Sequence, residues 1–152
     1  MKTNLYSLVL GNWYHDRFND YTQVKKSSEF RKYYYSHSDF LRAHRSLYMN
    51  LGRQQGATTA IANFIKKHPE LNIRVVFAND LLAKEFAKNH DIDISKHKLF
   101  IGMDVESIDI IFMDDDSYRY QFTSAYQEDI YQSVISRLNT GVNANQWLIS
   151  FC

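Results

Sequence analysis

Two short stretches of this sequence contain residue types that bind phosphate groups and metal ions. In the first, "LGRQQGATT" (51–59), a polar turn closes at Gly56, two threonines follow, and an apolar helical pattern begins. Backbone N–H groups in such a turn, together with the N-terminus of the next helix, favour a bound anion. The hydroxyl of Thr58 would then coordinate Mg²⁺ next to the phosphate. This stretch predicts a phosphate-binding turn.

The second stretch is the acidic run Asp114-Asp115-Asp116, which directly follows the apolar letters "IIFM". One carboxylate at the end of a buried strand can hold Mg²⁺ through water, and a second can polarise an attacking water. Each stretch alone occurs more often as plain structure, either a turn or a solvated acidic loop. Both together, in this order along the chain, favour a nucleotide site.

The elements that would position these residues alternate between strands and helices from residue 46 onward. Apolar runs and helical spacing predict strands at 46–51, 72–79, 98–103, 108–116 and 145–152, and helices at 58–68, 80–90 and 124–138. Such alternation is typical of right-handed crossovers and of a parallel sheet covered on both faces. In such a sheet ligands bind beyond the carboxyl ends of the strands, where both stretches are expected to lie.

The 152 residues are expected to form one α/β domain, 1–152. Its core would be a three-layer arrangement around a parallel sheet, formed by residues 46–152. Residues 1–45 would be a partly helical N-terminal extension, with one helical candidate at 27–46. No further domain, such as a nuclease or a second RecA-like domain, is expected in this sequence.

Composition narrows the class of protein and its compartment. The net charge of +1 gives no global attraction for nucleic acid, so DNA binding would need a local patch. The single cysteine, Cys152, cannot form an internal disulfide, which favours a reducing cytoplasm. The apolar run Leu8-Val9-Leu10 is shorter than a signal-peptide core of about 7–15 residues. No stretch reaches the roughly 18 apolar residues of a membrane span. We therefore expect a cytoplasmic protein without a membrane partner.

The first stretch also resembles a known family. "LGRQQGATTAIANFI" (51–65) is similar to the Walker A segment of the ATPase domain of large terminase subunits, the motors that package viral DNA. That segment reads approximately Ser-Arg-Gln-x-Gly-Lys-Thr. The sequence departs from it at Gly52, where the family has serine, and at Ala57, where it has lysine. The matching residues are Arg53, Gln54, Gly56 and Thr58.

Three later segments resemble, in order, the strand and helix after the P-loop, the region that runs into Walker B, and the helix and strand of the coupling motif. They are "IRVVFANDLLAKEFAKN" (73–89), "FIGMDVESIDIIFMDDDS" (100–117) and "YQSVISRLNTGVNANQWLISF" (131–151). The resemblance implies a P-loop NTPase of the additional-strand, RecA-like type that uses ATP and Mg²⁺. It also implies an origin in a phage or mobile element, and hence the host cytoplasm.

Carried over by position, the resemblance assigns roles to individual residues. Thr58 and Asp114 would bind Mg²⁺, and Asp115 would occupy the position of the catalytic glutamate, although aspartate is one methylene shorter. Arg53 would stabilise the transferring phosphoryl group. Ser150 aligns loosely with the coupling motif. The residues expected to bind the nucleotide are Gly52, Arg53, Gln54, Gln55, Gly56, Ala57, Thr58 and Thr59.

The alanine at position 57 decides which activity is expected. A P-loop lysine neutralises the β- and γ-phosphates, so its absence should lower the rate of ATP hydrolysis by a factor on the order of 10² or more. Either a lysine was replaced by mutagenesis, or the chain is a natural pseudo-ATPase. With lysine restored, the expected function is ATP hydrolysis coupled to DNA, to a protein partner or to a second copy of the chain. One alternative is an inactive interaction protein with the same fold, such as a phage factor that binds a host or viral enzyme. Another is a flavodoxin-like or other doubly wound domain in which the turn has no role in phosphate binding.

Two other groups of residues receive the simpler interpretation. Six histidines without metal-ligand spacing are expected at the surface.

A basic group is expected on a solvated helix face, with DNA contact as the alternative. Its members are Lys25, Lys26, Arg31, Lys32, Arg42 and Arg45.

Overall fold

The structure is a computed structural model that describes residues 4–18, 45–49, 56–77, 80–99, 108–113 and 146–151. Its elements, in chain order, are α1 (Leu5–Trp13), a π-helical turn (Tyr14–Phe18), β1 (Ser46–Met49), α2 (Ala57–Lys67), β2 (Ile73–Val76), α3 (Asp80–His90), α4 (Ile94–His97), β3 (Ile110–Met113) and β4 (Trp147–Phe151). The predicted helices at 27–46 and 124–138 lie outside the described residues, apart from the last two residues of the first. Most of the predicted strand 98–103 also lies outside them.

The four strands form one parallel sheet in the order β1-β4-β3-β2. Met49 of β1 lies opposite Phe151 of β4, and Met113 of β3 lies opposite Ser150. Lys98 adds a parallel bridge to Val75 on the outer side of β2. The predicted α/β class with a parallel sheet is therefore confirmed, and the strands predicted around 46–51, 72–79, 108–116 and 145–152 are present.

The two central strands are buried on both of their faces. Phe112 and Ile149 point to the face that packs against α1 and α2, and each is 0% exposed. Ile111 and Leu148, which point to the opposite face, are each 1% exposed. Near-continuous apolar strands of this kind are typical of parallel sheets shielded on both sides. The letters "IIFM" and "WLISF" therefore fit a central position in the sheet.

Helix α2 forms as its sequence predicts, one residue earlier than the expected start at 58. Its apolar residues recur at helical spacing and turn one side of the helix into the core. The helix ends at Lys67, and His68 has φ −123° and ψ 65°. Pro69 explains this end, because the residue before a proline is disfavoured in the helical region.

Helices α2 and α3 lie on the same face of the sheet. In the strand order β1-β4-β3-β2, the chain passes from β1 to β2 and then to Lys98, which lies beyond β2. Both connections therefore run in the same direction across the sheet. Right-handed crossovers in the same direction place their helices on the same side. Phe86 of α3 accordingly joins the core cluster that α2 contributes to. No helix within the described ranges is both long enough and apolar enough to cross a bilayer.

Helix α1 differs from the sequence expectation, which has the helix of the extension at 27–46. Tyr6, Leu10 and Trp13 are buried at i, i+4 and i+7. The ring centroid of Tyr6 lies 4.6 Å from that of Phe151, and the centroid of Trp13 lies 5.2 Å from that of Trp147. Helix α1 therefore runs antiparallel to β4. Its apolar stripe is hard to find in the sequence because two further leucines face solvent, Leu5 at 48% and Leu8 at 53% exposure.

Arg45 corrects the prediction of a solvated basic face. The side chain is 0% exposed, and its guanidinium carbon lies 5.0 Å from the centroid of the Trp147 ring. The residue directly precedes β1, and its carbonyl accepts a hydrogen bond from Leu148 N at 2.9 Å. Arg45 is thus part of the sheet edge, where a cation over an indole face is favourable. The other residues of the predicted basic group lie outside the described residues.

The buried contacts of α1 predict that this helix is part of the cooperative core. We expect Trp13→Ala to lower the free energy of unfolding by about 3–5 kcal/mol, because it removes a large buried ring. Leu8→Ala, on the exposed side of the same helix, should change it by no more than about 0.5 kcal/mol. Urea unfolding of both variants tests this, and equal effects would show that α1 is not packed as described.

Candidate functional site

The carboxyl edge of the sheet brings together the chain segments that lead to the two predicted stretches. Strand β1 ends at Met49, strand β3 ends at Met113, and β4 lies between them. Neighbouring strands lie about 4.8 Å apart, so β1 and β3 are roughly 9–10 Å apart at this edge. Asp114 follows Met113 directly in sequence but is itself outside the described residues. The topology therefore brings the ends of β1 and β3, from which the two stretches continue in sequence, to one edge of the sheet.

Gly56 begins the helix that follows β1. It has φ 87° and ψ 23°, a left-handed conformation that favours glycine. Its carbonyl oxygen accepts hydrogen bonds from Ala60 N at 2.9 Å and from Asn4 Nδ2 at 3.0 Å. The amides of residues 57–59 precede the first i→i−4 bond of α2, and such amides at a helix start are the ones that anions bind.

The residues after Gly56 differ in exposure. Ala57 is 9% exposed and belongs to the hydrophobic core, Thr58 is half-buried, and Thr59 is exposed. A lysine at position 57 would have to run its aliphatic stem along this core before its ammonium group reached the loop. Within the described residues, Gly56, Ala57, Thr58 and Thr59 are the members of the predicted nucleotide site.

Six further residues of the predicted site lie outside the described residues. They are Gly52, Arg53, Gln54, Gln55, Asp114 and Asp115. Across the part of the chain that is described, no group of three or more His, Cys, Asp or Glu side chains is placed to hold a metal ion. The Mg²⁺ site proposed from Thr58 and Asp114 stays a prediction.

Ser150 is the one residue of β3 and β4 that has a side-chain hydroxyl group. It is 6% exposed, lies on β4, and has Tyr48 of β1 and Met113 of β3 as its register partners. Its backbone position is thus midway between the strand that leads to Gly56 and the strand that leads to Asp114. In sequence, Ser150 aligns only loosely with the coupling motif. The sheet register shows that it lies at the carboxyl edge, where the site is expected.

An ion pair near the same edge was not predicted from the sequence. Lys98 Nζ donates a hydrogen bond to Asp80 Oδ1, where Asp80 is the first residue of α3. This hydrogen bond, followed by the charge of Lys98, lowers the pKa of the Asp80 carboxyl group. The pair joins the start of α3 to the segment that bridges β2. No short sequence motif connects two residues 18 positions apart.

Among the described histidines, His68 departs clearly from the prediction of surface positions, and His90 and His97 are half-buried. The His68 side chain is only 12% exposed, and its ring lies 4.1 Å from the centroid of Tyr14 and 4.4 Å from that of Phe64. His68 directly follows α2, so the end of that helix turns its ring onto the aromatic cluster. His15, by contrast, is exposed as expected.

Two grooves formed by described residues lie at the amino edge of the sheet, away from the predicted site. One, of about 470 Å³, lies beside Ile73 and the ends of α2 and α3. The other, of about 440 Å³, lies between the end of α1 and the starts of β1 and β4. Neither groove is lined by Gly56, Ala57, Thr58 or Thr59.

Comparison of the chain with models of protein families, with curated proteins and with solved structures finds no match. The similarity to terminases therefore depends on the short sequence segments themselves.

The geometry of Gly56 gives a testable prediction. A Cβ at this position would meet Asn4 Nδ2 at 2.5 Å in a backbone with φ +87°, so Gly56→Ala should destabilise the protein by about 2 kcal/mol. Gly11 of α1 has nothing within 4 Å of such a Cβ. Gly11→Ala should therefore stabilise by up to about 1 kcal/mol, since alanine is the better helix former. Urea unfolding distinguishes the two, and a stabilising Gly56→Ala would contradict the described turn.

Proposed function

We propose that the protein binds a nucleoside triphosphate with Mg²⁺ at the carboxyl edge of its sheet, as a small phage-type P-loop protein. The observation that carries this proposal is the strand order β1-β4-β3-β2. It supports a site in which the turn after β1 holds phosphates and the acidic run after β3 holds the metal ion. In open parallel sheets, ligands bind beyond this edge.

The position of β4 supports the more specific class suggested by the sequence. In P-loop proteins of the additional-strand type, one strand separates the strand before the phosphate loop from the strand that ends in the acidic residues. Here β4 separates β1 from β3 in that way. The burial of both faces of β3 and β4 is in keeping with a three-layer core.

The spacing across β4 suits the proposed chemistry. A gap of roughly 9–10 Å between β1 and β3 has room for a phosphate group and a hydrated ion between the turn and the carboxylate. Thr58 and Asp114 would hold the ion, and Asp115 would orient the attacking water. Ser150, buried between the two strands, would act as the group that links nucleotide state to the sheet, as the terminase resemblance implies.

The missing lysine limits the proposed activity to binding in the present sequence. The N-terminus of α2 offers partial positive charge to phosphate, but a helix end supplies only about half an elementary charge. Restoring the full charge at position 57 should raise hydrolysis much more than binding, because charge shifts onto the phosphoryl oxygens in the transition state. DNA, a protein partner or a second copy would be the coupled component.

A second candidate function is a binding module that uses the fold without nucleotide. The burial of Ala57 in the hydrophobic core favours this alternative, since alanine fits that position without strain. Such a protein would contact a host or viral enzyme through its surface and would not respond to ATP.

The two functions are separated by substitutions at one position. We expect Ala57→Lys to raise Mg²⁺-dependent ATP hydrolysis by about 10²-fold or more over the present sequence. Ala57→Met, which adds a stem of similar size without the charge, should leave hydrolysis unchanged. Fluorescent ATP titration and phosphate release measure binding and hydrolysis, and urea unfolding confirms that both variants fold.

Further controls define the outcome. Asp114→Asn in the Ala57→Lys protein should abolish most of the Mg²⁺-dependent hydrolysis while preserving side-chain size. If folded Ala57→Lys protein neither binds nor hydrolyses ATP, the nucleotide proposal is wrong and the binding-module function is favoured. Stimulation of its hydrolysis by added DNA would identify DNA as the coupled component.

A further inference from the structure

We infer that Asn4, at the start of α1, is a positioning residue for the phosphate-binding turn. This inference rests on the proposed function and adds a control element to it: the N-terminal helix sets the orientation of the peptide that faces the anion. Asn4 is separated from Gly56 by 52 positions in sequence, and its side chain contacts that glycine directly.

The two ends of the Asn4 amide have different partners. Its Oδ1 accepts a hydrogen bond from Ser7 N at 3.1 Å, which caps α1. Its Nδ2 donates to the Gly56 carbonyl oxygen at 3.0 Å. One side chain therefore begins α1 and also holds the residue that begins α2.

The direction of the Gly56 carbonyl matters for an anion. In a planar trans peptide, the carbonyl of Gly56 and the N–H of Ala57 point in opposite directions. Holding the carbonyl towards α1 and Ala60 therefore directs the Ala57 N–H outward from the helix start. A flipped peptide would instead present a carbonyl oxygen to the phosphate, which is repulsive. A glycine with positive φ offers little intrinsic resistance to such a flip.

Helix α1 is held in place independently of the turn. Tyr6 packs on Phe151, and Trp13 packs on Trp147, so the helix is attached to β4 at both of its ends. Asn4 extends from this fixed helix to Gly56. A nucleotide that binds better when Asn4 holds the Gly56–Ala57 peptide should stabilise the Asn4–Gly56 contact. By thermodynamic linkage, loss of this contact should lower the nucleotide affinity by the same factor.

Two substitutions separate the contact with Gly56 from the capping of α1. Asn4→Asp keeps the size and the cap, but a carboxylate cannot donate to the Gly56 carbonyl. Asn4→Ser also keeps the cap, and its side chain is too short to reach Gly56. We expect both variants to lower the free energy of unfolding by no more than about 1 kcal/mol, the effect of losing one hydrogen bond, and to exchange the Ala60 amide hydrogen about two- to tenfold faster.

Nucleotide affinity provides the second measurement, made with fluorescent ATP and Mg²⁺ in the present sequence and in Ala57→Lys. Both Asn4 variants should weaken binding about two- to tenfold, and Leu8→Ala on the exposed side of α1 should not. Unchanged exchange at Ala60 together with unchanged affinity would overturn the inference. Losses of exchange protection and of affinity that the change in urea midpoint accounts for in full would overturn it as well. Faster exchange in proteins that never bind nucleotide would support the Asn4 contact and contradict the proposed function instead.

Discussion

The parallel pairing of β4 with both β1 and β3 is the constraint on which the candidate site depends. Parallel strands have their carboxyl ends at one edge, so this pairing places the exits of β1 and β3 on either side of Ser150. The pairing is stabilised by residues of β3 and β4 that are almost completely buried on both faces. A shift of one residue in either register would turn Ile149 or Phe112 to the opposite face. Core packing and site geometry are therefore set by the same contacts.

Helix α1, the described helix of the predicted N-terminal extension, is part of this arrangement. Helix α1 lies along β4, with Tyr6 beside Phe151 at the carboxyl end of the strand and Trp13 beside Trp147 at its amino end. Its first turn consequently lies beside the start of α2, where Asn4 meets Gly56. The aromatic contacts supply the burial energy, and the single amide supplies the direction of one peptide group. An element that contributes to stability in this way also reaches the position where a ligand is expected.

The sequence predicts local features of this protein better than long-range ones. The compact apolar runs "IIFM" and "WLISF" predict strands, and the helical apolar spacing that ends at Pro69 predicts α2. The order of the strands requires knowledge of which runs pair, which no single run contains. The pattern of apolar residues does not predict helix α1, because solvent-facing leucines obscure its buried stripe. The charge of Arg45 predicts a solvated position, whereas its place in the chain next to β1 puts its guanidinium over Trp147.

The balance of charge at the start of α2 determines what such a site can do. The helix end and the neighbouring amides provide directed partial charges, which suit binding of an anion whose geometry matches them. Hydrolysis also needs a full positive charge that follows the phosphoryl group into the transition state. Ala57 contributes none, and its burial means that a cation there must be carried on a long stem. In the present sequence that charge would have to come from Arg53 or from a partner. In the proposed function, nucleotide binding and hydrolysis are thus separable, and the contact between Gly56 and Asn4 bears on the first of them.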